Sequence, residues 1–112
     1  MTKLMTPTMK EERVMMKDEL ARAAGRVVTV ANDLGQKTTV AIVPAVPGMD
    51  DEKAGFYYVG VAHCSDTDKY KRKYGEWLAL ERLLVMGGMP VRANGRCMET
   101  VLHDVADAVG GY

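Results

Sequence analysis

The chain has 112 residues, fifteen basic and fifteen acidic, so its formal net charge is zero, and 47% of its residues are hydrophobic. This size fits a single domain over 1–112, and the balanced charge excludes generic DNA coating, which needs a net or segregated positive surface. No apolar run approaches the roughly 18–20 residues that cross a bilayer, and the opening "MTKLMTPTMKEERVMM" lacks the continuous apolar block of a signal peptide.

Residues 1–7 read as a loose lead-in ending at Pro7. Thr8, with Glu11 three residues on, forms a capping-box pattern that predicts a first helix over Met9–Ala24. Its apolar positions are Met9, Val14, Met16, Leu20, Ala23 and Ala24, and Gly25 supplies the stop. "RVVTVA" (Arg26 to Ala31) and "QKTTVAIV" (Gln36 to Val43) are β-branched runs around Asn32-Asp33-Leu34-Gly35, the pattern of a hairpin. Pro44 to Gly55, with two prolines, two glycines and clustered charge, is expected to be a mobile loop. "FYYVGVAH" (Phe56 to His63) is a third strand, in which Gly60 marks a bulge or a close backbone approach.

A second helix is expected from about Asp66 to Met86, stopped by Gly87-Gly88 with Pro90 beyond. Tyr70, Tyr74, Trp77, Leu78 and Leu84 are spaced to share a core-facing side, and Arg72–Glu76 is spaced for an i,i+4 pair. "MPVRANGR" reads as a linker with an Asn94-Gly95 turn. A third helix follows from about Arg96 to Val109, with Cys97, Val101, Leu102, Val105 and Val109 as its stripe. The expected fold is α+β: a three-stranded antiparallel meander with one N-terminal and two C-terminal helices on one face, in the order α-β-β-β-α-α. Its unpaired edges would favour a homo-oligomer.

Chemistry-bearing residues are few. Ser65 and Asp68 match a capping box, and Asp66 and Asp68 complement the helix dipole without any ligand. His63, Cys64, Cys97 and His103 nominally make one zinc set, but no C-x-x-C spacing exists and neighbours on a strand point to opposite faces. Asp66 and Asp68 oppose any lowering of the Cys64 pKa, and no phosphate-binding glycine motif or hydrolase motif occurs. The expectation is a protein that is not an enzyme and carries no cofactor. Two cysteines make no disulfide framework, which suits a reducing cytoplasm, although one Cys64–Cys97 bridge is compatible with the sequence.

Two segments suit an anionic ligand. Tyr70, Lys71, Arg72 and Tyr74 interleave aromatic and basic side chains as a phosphate- or base-facing surface does, and also as a solvated helix face does. Arg92, Asn94 and Arg96 place two arginines around a turn that leads into a helix start, where a phosphate could be gripped from both sides. The second segment lacks competing acids and is the preferred anion site.

The run "GVAHCSDTDKYKRKYGEWLALERLL" resembles a segment of small bacteriophage-encoded proteins, through Cys64, Ser65, Asp68, Tyr70, Lys71, Gly75, Ala79 and Arg82. It covers about a quarter of the chain and departs from the pattern at Glu76, where a basic residue is favoured. The resemblance implies a factor in the host cytoplasm that binds a host protein or counters host defence, some such proteins sequestering cyclic nucleotides. Three readings follow: a sponge for a small phosphate-containing nucleotide, an inhibitor of a host enzyme or defence complex, or a small nucleic-acid-binding module.

Overall fold

The computed structural model describes residues 8–32, 35–45, 55–64 and 72–110. Its elements run α1 (Met9–Arg22), β1 (Arg26–Ala31), β2 (Lys37–Pro44), β3 (Phe56–Cys64), α2 (Arg72–Leu80) with a π-helical turn (Glu81–Val85), β4 (Met89–Arg92) and α3 (Met98–Gly110). The strands form one antiparallel sheet in the order β1-β2-β3-β4. The class is α+β, as expected, but the described residues hold a fourth strand where the sequence suggests a linker.

Pro90 is why that strand reads as a linker, and the sheet shows how it is tolerated. Ala93 N–H donates to the Gly55 carbonyl, which fixes the ladder so that Val91 and Met89 turn their backbone groups toward β3. Pro90, opposite Tyr58, then has its missing N–H on the outer side of an edge strand, where no ladder bond is lost.

Helices cover both faces rather than one. Val40, Ile42, Tyr57 and Val59 pack with Met98, Val101, Leu102 and Ala106 of α3. On the opposite face Ala41 and Ala62 pack with Leu20 of α1 and Ala79, Leu80 and Leu83 of α2 and its extension. Strand alternation sends Val40 and Ile42 one way and Ala41 the other. Buried on both sides, β2 therefore reads as the near-continuous apolar run TVAIV.

The side of α2 that meets the sheet differs from the expected aromatic one. Gly75, Glu76, Ala79, Leu80 and Leu83 are buried, whereas Tyr74 is 48% exposed and Trp77 and Leu78 are half-buried. Gly60 explains this: a Cβ there would lie 2.6 Å from the Leu83 backbone nitrogen and closer still to the Ala79 carbonyl oxygen. The helix backbone rests directly on the strand, leaving no room for a ring between them.

α1 has the predicted capping box: Glu11 N–H donates to Thr8 Oγ1 at 3.1 Å, and Thr8 N–H to Glu11 Oε1 at 3.0 Å. Only Leu20 of its expected stripe is fully buried, and Met9 and Val14 face out. The left-handed residue at its end is Ala24 (φ 63°), with Gly25 fitted against Leu20 and the Ile42 carbonyl. In α3, Met98 and Ala106 replace the exposed Cys97 and Val109 as core residues.

Candidate functional site

The Arg92–Arg96 segment is a tight turn. Asn94 (φ 50°) and Gly95 (φ 79°) both have positive φ, and Arg96 N–H donates to the Ala93 carbonyl at 2.9 Å, the pattern of a type I′ turn. The Arg96 guanidinium is turned into this structure. Its Nε donates to the Ala93 carbonyl at 3.0 Å, one Nη to the Arg92 carbonyl at 2.7 Å, and the other to Asp104 Oδ2 at 2.7 Å. Arg96 thus ties the turn to the side of α3. Its carbonyl in turn accepts from the buried Tyr57 hydroxyl at 3.3 Å. Arg92 and Asn94 are exposed beside it.

The two arginines therefore differ: Arg96 is engaged within the protein and Arg92 is exposed. Both are present, but the three donor groups of Arg96 already have acceptors. Sequence spacing gave the turn and the proximity, while the Asp104 contact comes from eight residues further on, across the helix start.

Of the other candidates, Tyr70 and Lys71 lie outside the described residues, as do Ser65, Asp66 and Asp68. Arg72 is the first residue of α2, and its side chain falls outside the description. Tyr74 stacks on Trp77, with ring centroids 5.9 Å apart at 30°. The expected Arg72–Glu76 pairing rests on a side chain outside the described residues. Glu76 accepts from Arg13 at 3.1 Å and lies 3.5 Å from Lys17 Nζ, both on α1. The Cys64 side chain is likewise outside the description, whereas Cys97 is exposed with its Sγ 3.3 Å from Thr100 Oγ1. His63 Nδ1 sits 2.8 Å from Thr38 Oγ1.

Sequence reasoning missed a groove between α1 and α2. Met15, Met16, Trp77 and Val85 supply its apolar lining, Glu12, Glu19 and Glu81 its polar one, and its volume is about 220 Å³. Trp77 Nε1 donates to Glu12 Oε1 at 3.0 Å, holding the indole as one wall. Met15 is 61% exposed and Val85 70%, and Met86, 72% exposed, continues the apolar surface just beyond. The signal was present in α1, where Met15 and Met16 sit among acids, but a stripe search assigns such methionines to the core.

The groove's charge follows from how the helices meet. Arg13 and Lys17 of α1 turn toward Glu76, so among the described residues the carboxylates of Glu12, Glu19 and Glu81 are the charged groups lining it. A second hollow, about 370 Å³, lies where β4 begins against β3, its lining including Val59, Gly60, Val61, Arg82, Met86 and Met89. There Arg82 Nη1 donates to the Val61 carbonyl, which lies past the last β3–β4 pair, Val59–Met89.

Comparison with protein families, with curated proteins and with solved structures finds no match to this chain. No described helix is long and apolar enough to cross a membrane.

Proposed function

We propose that the protein is a non-enzymatic binding protein that acts by docking another polypeptide through the α1–α2 groove. The observation that carries this reading is the apolar lining of Met15, Met16, Trp77 and Val85 on two packed helices, with Met15 and Val85 exposed and Met16 and Trp77 half-buried. Contiguous apolar surface of this kind marks interaction sites, and methionines are used where a surface must adapt to its partner. In the setting implied by the bacteriophage resemblance, the partner is a host enzyme or defence component and docking inhibits it.

The nucleotide-sponge reading draws less support. Its preferred site rests on Arg92 and Arg96, and Arg96 is engaged by Asp104 and two backbone carbonyls. The groove itself is lined by carboxylates, which repel a phosphate. Native mass spectrometry of the protein as purified from cells tests the choice. A co-purifying polypeptide, lost in a Met15→Glu/Val85→Glu variant that still folds, is the expected result. A defined oligomer carrying a small phosphate compound, retained in that variant, would instead establish the sponge.

A further inference from the structure

We infer that the partner segment received by the α1–α2 groove is a cationic amphipathic helix with one large apolar anchor. This rests on the proposed docking function and specifies the chemistry of its partner.

Charge decides the sign. Glu12, Glu19 and Glu81 line the groove and, among the described residues, no basic one does, because Arg13 and Lys17 are paired with Glu76 at the helix–helix contact. A segment entering the groove meets three carboxylates around an apolar floor, and lysines or arginines flanking its anchor complement them.

Shape decides the conformation. The lining spans eight residues of α1, Glu12 to Glu19, and nine from Trp77 to Val85. At about 1.5 Å per residue each wall is roughly 10–12 Å long, about two helical turns. Both walls are helices, whose backbone groups are bonded internally, so no sheet edge is offered for an added strand. A short helix laid between two helical walls, with one anchor inserted and polar residues on the neighbouring turns, matches this shape. A volume of about 220 Å³ accepts one bulky side chain and is below the usual size of a small-ligand pocket.

A second copy of the chain fits less well. A two-fold contact sets the same patch against itself, which would oppose Glu19 and Glu81 to their own copies.

The single tryptophan of the chain, Trp77, lines the groove and reports its occupancy. Three designed peptides are titrated into the full-length protein while its emission is followed. One is a leucine–lysine peptide of helical period, the second its leucine–glutamate counterpart, and the third a leucine–lysine peptide of alternating, strand-like period. The expected result is a shift in Trp77 emission with the first peptide only. Its affinity should fall about tenfold or more between low and moderately high salt. It should fall similarly in Glu19→Lys/Glu81→Lys, which leaves the Glu12–Trp77 bond in place.

Equal binding of the acidic peptide, equal binding by the charge-reversed protein, or no emission change with the cationic helix would each overturn the inference. If the cationic helix fails while a polypeptide still co-purifies in a Met15- and Val85-dependent way, the docking function stands and the assigned partner chemistry falls.

Discussion

The carboxylate of Glu76 on α2 lies 3.1 Å from the Arg13 guanidinium on α1, although Glu76 is only 6% exposed. Lys17 approaches the same oxygen at 3.5 Å, so one buried acid gathers two bases from the neighbouring helix. The contact joins α1, which buries little apolar surface of its own, to the body of the protein. It also gives Glu76 a role within the fold.

Removing one partner of such a pair leaves the other charge poorly compensated. Glu76→Ala is expected to lower stability by about 3 kcal/mol, and Glu76→Gln by less, because its amide oxygen still accepts from Arg13. Urea denaturation of the single variants and of Glu76→Leu/Arg13→Met measures this. The apolar pair should recover most of the loss. A Glu76→Ala change of only a few tenths would mean that the pair behaves as an exposed one.

Gly60 gives a second prediction. A methyl group there meets the backbone of Ala79 and Leu83 rather than the tip of a flexible side chain. Gly60→Ala must therefore push α2 and its π-helical turn off the sheet, at a cost of about 1–3 kcal/mol or more. Trp77, two residues before Ala79 on the same helix, should move with it, so near-ultraviolet circular dichroism should change even where the protein stays folded. A variant of normal stability with an unchanged tryptophan signal would contradict the close approach.

What was legible in the sequence was local. The Thr8–Glu11 box, the three strands of alternating or β-branched residues, the Gly87-Gly88 stop and the Asn94-Gly95 turn each depend on residues within a few positions of one another. The misses were long-range. Pro90 hides β4 because a proline is compatible with a strand only at an outer edge, which neighbouring residues cannot reveal. The inward face of α2 was misread because Gly60 and Ala41, small residues on other elements, select Gly75 and Ala79 over the aromatic rings. The Arg92–Arg96 spacing suggested a ligand grip, and Asp104 on α3 converts half of it into a brace.

The end of α1 offers a stabilising substitution. Ala24 sits at φ 63° and is exposed, a conformation that glycine adopts without a Cβ penalty. Ala24→Gly is expected to stabilise by about 0.5–1 kcal/mol. A thermal melt showing a lower midpoint would argue that this residue is not held in the left-handed region.

At the other end, the cap predicts a pH effect. The Glu11 carboxyl is held below its ordinary range by hydrogen bonds from the Thr8 backbone and then the Thr8 hydroxyl. A lowered folded-state pKa contributes stability above the unfolded value, and this is lost as pH falls through the folded one. Acid should therefore weaken α1 in the native protein more than in Glu11→Gln, which keeps an acceptor for the Thr8 N–H but does not titrate. Parallel stability profiles from neutral to acid pH, offset by a constant, would show that the box does not respond to Glu11.

The two arginines of the β4–α3 turn should separate cleanly. Arg96→Ala removes three donor groups from the Ala93 and Arg92 carbonyls and from Asp104. Part of this contact is solvent-exposed, so the expected loss is about 1–2 kcal/mol. Arg92→Ala, on an exposed edge position, should stay within about 0.5 kcal/mol of the parent. A joint alanine variant would confuse ligand loss with unfolding, so Arg92→Ala alone is the informative test of anion binding. Titration with pyrophosphate should give no saturable heat in either the parent or Arg92→Ala. Saturable binding by the parent that Arg92→Ala abolishes at unchanged stability would restore the phosphate-ligand reading and direct attention from the α1–α2 groove to this turn.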